Sequence, residues 1–300
     1  MDLQSIINSR FGIGFGLTLG RIMPSGIGYR IARKMADRIA QQNDSPMVRA
    51  ARANQWVISG EQLDSNQLDI AVHNALQSSA RCQFDLYHNL KKPAGFKRLM
   101  KFSPKIEELI EQSKEGKNAL LVVGLHTSNL DIGFIALGES GVSAFAISVP
   151  DPGGGYQWQN DLRESFGFDF MPASKSALRE AYKRLDSGGT VVTGIDRPIP
   201  DIKYRPIFFG RPASLPVFHV LLALRSKVPI YISSNILNED GVYVMHASDA
   251  IYMQPRSDRR SEIMYNAEAV LDVAEDFIRN AGKQWAMYYP VWPEVLDIMP

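Results

Sequence analysis

A short apolar run that ends in a polar turn and passes directly into an apolar helix limits a chain to few folds, and residues 119–137 contain one. Ala119, Leu120, Leu121, Val122 and Val123 read as a buried strand bounded by Gly124. Thr127 and Ser128 are good N-cap residues, and Ile132, Phe134, Ile135 and Leu137 suit a buried helix after them. His126 then falls on the strand-to-helix turn, where polar side chains leave the core. The alternation continues along the chain. Strands are expected at 142–149, 190–195 and 229–236, with 242–246 as an antiparallel partner of the last. Helices are expected after Asp131, around Asn160 and Arg163, and over 174–185, 215–226 and 260–279. The pattern predicts one α/β domain with a mostly parallel mixed sheet and helices on both faces.

The N-terminal end has a different character. The chain of 300 residues carries a net charge of only +1, but the first sixty hold eight Lys or Arg against three acids. A basic, weakly apolar end suits an anionic membrane surface better than a nucleic-acid groove. Residues 11–31 are apolar but rich in Gly, and Arg21, Pro24 and Arg30 interrupt them, so they fall short of a spanning helix and do not read as a signal peptide. Phe11, Ile13, Phe15, Leu17, Leu19, Ile22 and Met23, followed by the Arg/Lys-rich stretch 26–41, suggest a segment lying in the membrane interface. An ordinary amphipathic helix packed on its own domain is the alternative. The division expected is therefore 1–45 as an interfacial helical layer and 46–300 as the α/β domain.

Helices at 46–58 and 66–90 extend that layer, with Leu68, Val72, Leu76, Ala80 and Phe84 at core spacing and His73 and His88 beside them without a chemical role. Lys91, Lys92, Lys97, Arg98, Lys101 and Lys105 form a basic run, either a solvated face or a docking surface for anionic headgroups or an acidic carrier protein. Cys82 stands alone, which leaves no intrachain disulfide and no cysteine metal site and agrees with a reducing, cytoplasmic milieu.

The chemistry centres on His126. Asp131, five residues on and in the first helical turns, can reach back to the imidazole and fix its tautomer. The other ring nitrogen would then take a proton from a hydroxyl, the base half of an acyl-transfer site. Gly124-x-His126-x-x-Asn129-x-Asp131 resembles the His-x4-Asp/Glu block of the lysophospholipid acyltransferase superfamily. The Asn within it is similar to the branch of lipid A biosynthesis lauroyl/myristoyl acyltransferases and phosphatidylinositol mannoside acyltransferases. Later blocks follow in order: Arg163-x3-Gly167, Asp196-Arg197 after a strand, Phe208-Phe209-Gly210-x-Pro212, Val228-Pro229, and Gln284-Trp285. Pro198 stands where the family often has a further acid, and Tyr288-Tyr289-Pro290 replaces its usual His-Arg-Arg run.

The resemblance implies transfer of a fatty acyl group from an acyl-carrier-protein or coenzyme A thioester to a hydroxyl of a glycolipid or phospholipid. The enzyme would be peripheral or monotopic, on the cytoplasmic face of the inner membrane. His126 would be the base, Asp131 its orienter, and Asn129 with nearby backbone N–H groups would stabilise the oxyanion. Asp196 is the candidate for the missing acid, and Arg163, Lys175 and Arg197 are candidates to hold phosphate. No metal and no bound cofactor is expected beyond the thioester co-substrate. Two other readings stay open: a lipid thioesterase or hydrolase, although no Gly-x-Ser-x-Gly occurs, and a lipid-binding module whose site has decayed.

Overall fold

The structure is a computed structural model and describes residues 16–18, 20–90, 95–149, 154–200 and 202–300. Its helical N-terminal part comprises α1 (Ser25–Ala40), α2 (Pro46–Ile58), α3 (Ser65–Asn89) and the single turn α4 (Gly95–Leu99). Then follow β1 (Met100–Phe102), α5 (Pro104–Glu115), β2 (Leu120–Gly124), α6 (Leu130–Glu139), β3 (Ala144–Ser148), α7 (Gly154–Glu164), β4 (Phe168–Pro172), α8 (Lys175–Asp186) and β5 (Thr190–Gly194). The remainder is a small hairpin, β6 (Ile207–Phe208) and β7 (Arg211–Pro212), then α9 (Phe218–Ser226), β8 (Ile230–Leu237), β9 (Tyr243–Ala247) and α10 (Arg259–Ala281).

Seven strands form one sheet in the order β1-β9-β8-β2-β5-β3-β4. All neighbours are parallel except β8 and β9, so the sheet is mostly parallel and mixed, with 242–246 in the antiparallel place expected for it. Two edge strands and one helix were not legible in advance. β1 has only three residues, and β4, interrupted by Asp169 and ended by Pro172, lacks the continuous apolar run of the other short strands. The signal for α5 lay hidden in the basic run: Ser103 accepts from Ile106 N and Pro104 opens the helix.

Strand alternation sends side chains to two faces. Leu121, Val123 and Val191 pack with residues of α8, α9 and α10, among them Ala181, Leu222 and Val270. Opposite, Ala144 and Phe168 meet Ile106 and Ile110 of α5 and Ile132 and Ile135 of α6.

α1 lies along α3, close enough at Gly28 that a Cβ there would come within 2.1 Å of the Phe84 ring. Asp85 ties this layer to the sheet, accepting from Tyr29 Oη and Tyr243 Oη, each at 2.6 Å. The outer side of α1 presents Ile27, Ile31 and Met35, all exposed and four residues apart, with exposed Arg30, Arg33, Lys34 and Arg38 around them. No described helix is long and apolar enough to cross a membrane. Phe11, Ile13, Phe15 and Leu19 of the expected interfacial segment lie outside the described residues, as do Lys91 and Lys92 of the basic run. Lys105 of that run pairs with Glu108 on the surface.

Candidate active site

β2 and β5 are adjacent and in register, with Leu120 opposite Thr190 and Gly124 opposite Gly194. Two residues past each glycine the chain places His126 and Asp196, so the parallel register sets them side by side. Asp196 Oδ1 lies 2.6 Å from His126 Nδ1, and Asp196 Oδ2 accepts from the backbone N–H of His126 at 2.8 Å and from Trp285 Nε1 at 2.9 Å. This carboxylate is wholly buried. Burial, its largest single influence, pushes its pKa up. The His126 charge, the hydrogen bonds from His126 and Trp285, and the His126 N–H together outweigh burial and hold it below the usual carboxylate value.

The imidazole keeps about a quarter of its surface, 27 % of the side chain. Gly194 makes room for it, since a Cβ there would stand 3.2 Å from His126 Cε1. Beyond the ring the backbone turns sharply: Thr127 N donates to Leu125 O, and Ser128 has φ 51°. Few non-glycine residues hold that left-handed geometry. The C-terminal tail fixes the turn from outside, with Ala286 N donating to His126 O and Ser128 N to Gln284 O. Gln284 is itself held at both ends of its amide by the backbone of Leu237. Asn54 of α2 donates to Met287 O and Tyr289 O and accepts from Val291 N, anchoring the tail that carries Trp285.

Several expectations for this region change. The helix begins at Leu130 and its cap is Asn129, whose Oδ1 accepts from Ile132 N, rather than Thr127 or Ser128. Asn129 Nδ2 donates to Cys82 O, so that side chain serves the fold of the turn. The backbone N–H groups of residues 126 to 128 are all engaged as described above. Asp131 does not make the expected contact with the imidazole at Nδ1, which goes to Asp196. Its Oδ1 meets Arg163 Nε and Nη2, each at 2.7 Å, and its Oδ2 lies 3.3 Å from Gln159 Nε2. The helix start explains this: from the second position of α6, Asp131 is directed at α7, which carries Gln159 and Arg163.

Arg163 is correspondingly buried, with Asn160 Oδ1 as a further acceptor and the Phe134 and Phe170 rings within 5.4 Å, and is no rim cation. Lys175 is exposed near the start of α8, outside the cavity described next. Arg197 does reach the mouth of that cavity, 4.1 Å from the Tyr289 ring centroid. Phe208 and Phe209 belong to the hairpin β6–β7, a core strand and a turn. Phe208 stacks on Trp292 in the core, and neither lines the cavity. Trp285, which donates to Asp196, has no role assigned to it from sequence; a Trp beside the late Gln is its only signal there.

A cavity of about 690 Å³ opens beside His126. It runs under the α5–α6 face of the sheet, past Gly124 and Gly194, Val122 and Val192, to Leu120 and Thr190 at the strands' starts. In open parallel sheets ligands enter at the carboxyl ends of the strands, where His126 and Asp196 stand. An oriented base at the mouth of a long apolar hollow can deprotonate a hydroxyl next to a bound hydrocarbon chain.

No curated protein sequence matches the chain significantly. The family model of the bacterial lipid A biosynthesis acyltransferases matches residues 4–293, nearly the whole length, and the chain belongs to that family, as an acyltransferase of lipid biosynthesis.

Proposed function

We propose that the protein moves a fatty acyl chain from an acyl-carrier-protein or coenzyme A thioester to a hydroxyl of a membrane glycolipid or phospholipid, with His126 as general base and Asp196 as its partner. The observation that carries this reading is the His126–Asp196 pair at the mouth of the 690 Å³ cavity. Nδ1–H donates to Asp196, which leaves Nε2 to take the proton of the acceptor hydroxyl. The acceptor oxygen attacks the thioester carbonyl. Collapse of the tetrahedral intermediate releases the thiolate, which recovers the proton from His126. The chemistry calls for no metal or cofactor besides the thioester. Asp131 acts at one remove, fixing Arg163 in the cavity wall, and Arg197 at the mouth is the best placed of the three cations to meet phosphate.

The test compares three variants for transfer to lysolipid and glycolipid acceptors by mass spectrometry. His126→Ala should lower turnover at least 10²-fold, the usual scale for a positioned base. Asp196→Asn should cost roughly as much, because the ring loses the partner that fixes its tautomer, while Asp131→Asn should cost less than about tenfold. A folded His126→Ala variant with wild-type rates sinks the mechanism. Release of free fatty acid with no acylated acceptor would favour a thioesterase.

The outer stripe of α1 supports peripheral docking on the cytoplasmic face of the inner membrane, since Ile27, Ile31 and Met35 form one apolar line between basic side chains. Replacing Ile27 and Ile31 together by Asp should weaken binding to anionic phospholipid vesicles at least tenfold, given roughly 1.5–3 kcal/mol for each such side chain buried. Unchanged vesicle binding would remove α1 as the docking face.

A further inference from the structure

Two hydroxyls line the cavity at the end farthest from His126. Ser113, in the last turn of α5, and Thr190, the first residue of β5, approach to 2.8 Å between Oγ and Oγ1, and both line the hollow. Just beyond them Lys114, Gly116, Lys117 and Asn118 are exposed, so the pair stands between the apolar interior and water. Each hydroxyl satisfies the other, which lets two polar groups face a hydrocarbon-lined space at little cost.

The dimensions are those of a single acyl chain. From Gly124 to Leu120 a strand rises roughly 13 Å, and the step from His126 brings the span to roughly 20 Å. A zigzag of single bonds near 1.5 Å advances roughly 1.3 Å per carbon, so the span holds an extended chain of roughly 12 to 16 carbons. The mid-strand walls support this path. Val122 and Val192 sit on the two central strands and yet are only half-buried, because the space opposite them is hollow.

We propose that the Ser113–Thr190 hydroxyl pair is the floor of this hollow and sets the length of acyl chain the protein accepts. The inference rests on the acyl reading of the cavity given above. A chain that is too long must leave its excess methylenes in water, and one that is too short leaves the end of the hollow unfilled. Each misplaced methylene is worth roughly fourfold in affinity.

Two variants move the floor in opposite directions: Ser113→Leu raises it, and Ser113→Ala combined with Thr190→Ala lowers it. Binding of saturated free fatty acids of ten to eighteen carbons is measured by displacement of a fluorescent fatty acid, so the readout does not depend on transfer. Mixed thioester donors are then offered in competition. Ser113→Leu should shift the preferred length down by about two carbons, a change of roughly fifteenfold in the ratio of the two lengths. The double Ala variant should shift it upward. A thermal melt of each variant accompanies the binding, and if Ser113→Leu fails to fold the double variant decides alone. An unchanged length profile in the folded variants overturns the proposal, as does a wild-type protein that binds no fatty acid of any length. Length-shifted binding without acyl transfer to any acceptor would leave the floor standing and remove the acyltransferase mechanism instead.

Discussion

The two faces of the central sheet are made from the same kinds of residue and are filled differently. On β2, Leu121 and Val123 point into a face closed by α8, α9 and α10, and both are fully buried. Val122, between them in sequence and similar to them in chemistry, points into the hollow under α5 and α6 and is only half-buried. β5 repeats the pattern with Val191 buried and Val192 half-buried. Protein interiors normally pack like organic crystals, with few voids larger than a water molecule. A hollow of about 690 Å³ against one face, beside a fully packed face on the same strands, separates the two tasks. One face is packed for stability, and the other gives up contacts to leave an open hollow.

The separation is most sharply tested by truncating neighbours on one strand. Leu121→Ala should destabilise by about 3 kcal/mol, since it removes a fully buried side chain and leaves a cavity in a close-packed face. Val122→Ala should cost about 1 kcal/mol or less, because the space beside it is already empty. Urea denaturation of both, with equal m-values, measures the difference. Equal losses would show that the two faces are packed alike.

How the two faces are made was partly legible in the sequence. The apolar runs gave strands within a residue or two of their true ends, and 46–58 was delimited as it stands. The order of strands was not legible, because β5 enters the sheet between β2 and β3 only after the chain has passed through β4. His126 and Asp196 are seventy residues apart, so their pairing depends on that insertion. A faint signal exists in retrospect: Gly124-x-His126 and Gly194-x-Asp196 share one spacing, and two parallel strands in register would align them. The Asp131 contact differs from the expected one for a local reason. A helix start at Thr127 or Ser128 would have turned that carboxylate elsewhere, but capping by Asn129 delays the helix and aims Asp131 at Arg163. Arg163 in turn reads from sequence as a candidate phosphate ligand, because nothing in its neighbourhood announces burial against Phe134 and Phe170.

The comparison extends to two histidines, one on each side of the sheet. His126, at the mouth of the hollow, has a buried carboxylate for a partner. His219, on α9 on the packed side, is 1 % exposed, and neither ring nitrogen has a hydrogen-bond partner among the described residues. Burial alone pushes its pKa down from 6.5 to about 3. The folded protein therefore keeps His219 neutral where the unfolded chain would bind a proton. Its effect is absent above pH 6.5, grows as the pH falls below that value, and levels off near pH 3. At pH 5 the loss of stability should be about 2 kcal/mol, smaller than the Leu121 truncation. Asp196 acts elsewhere on the scale: its depressed pKa contributes stability above the ordinary carboxylate value, lost only as the pH falls through its lower folded value. His219→Leu keeps an apolar side chain of similar size and removes the titration. The variant should therefore lose about 2 kcal/mol less than wild type between pH 8 and pH 5, as read by urea denaturation at the two values. Whatever else titrates in that interval is common to both proteins and cancels in the comparison. Parallel curves for wild type and His219→Leu would mean that the packed side admits water to that ring, and would narrow the contrast between the two faces.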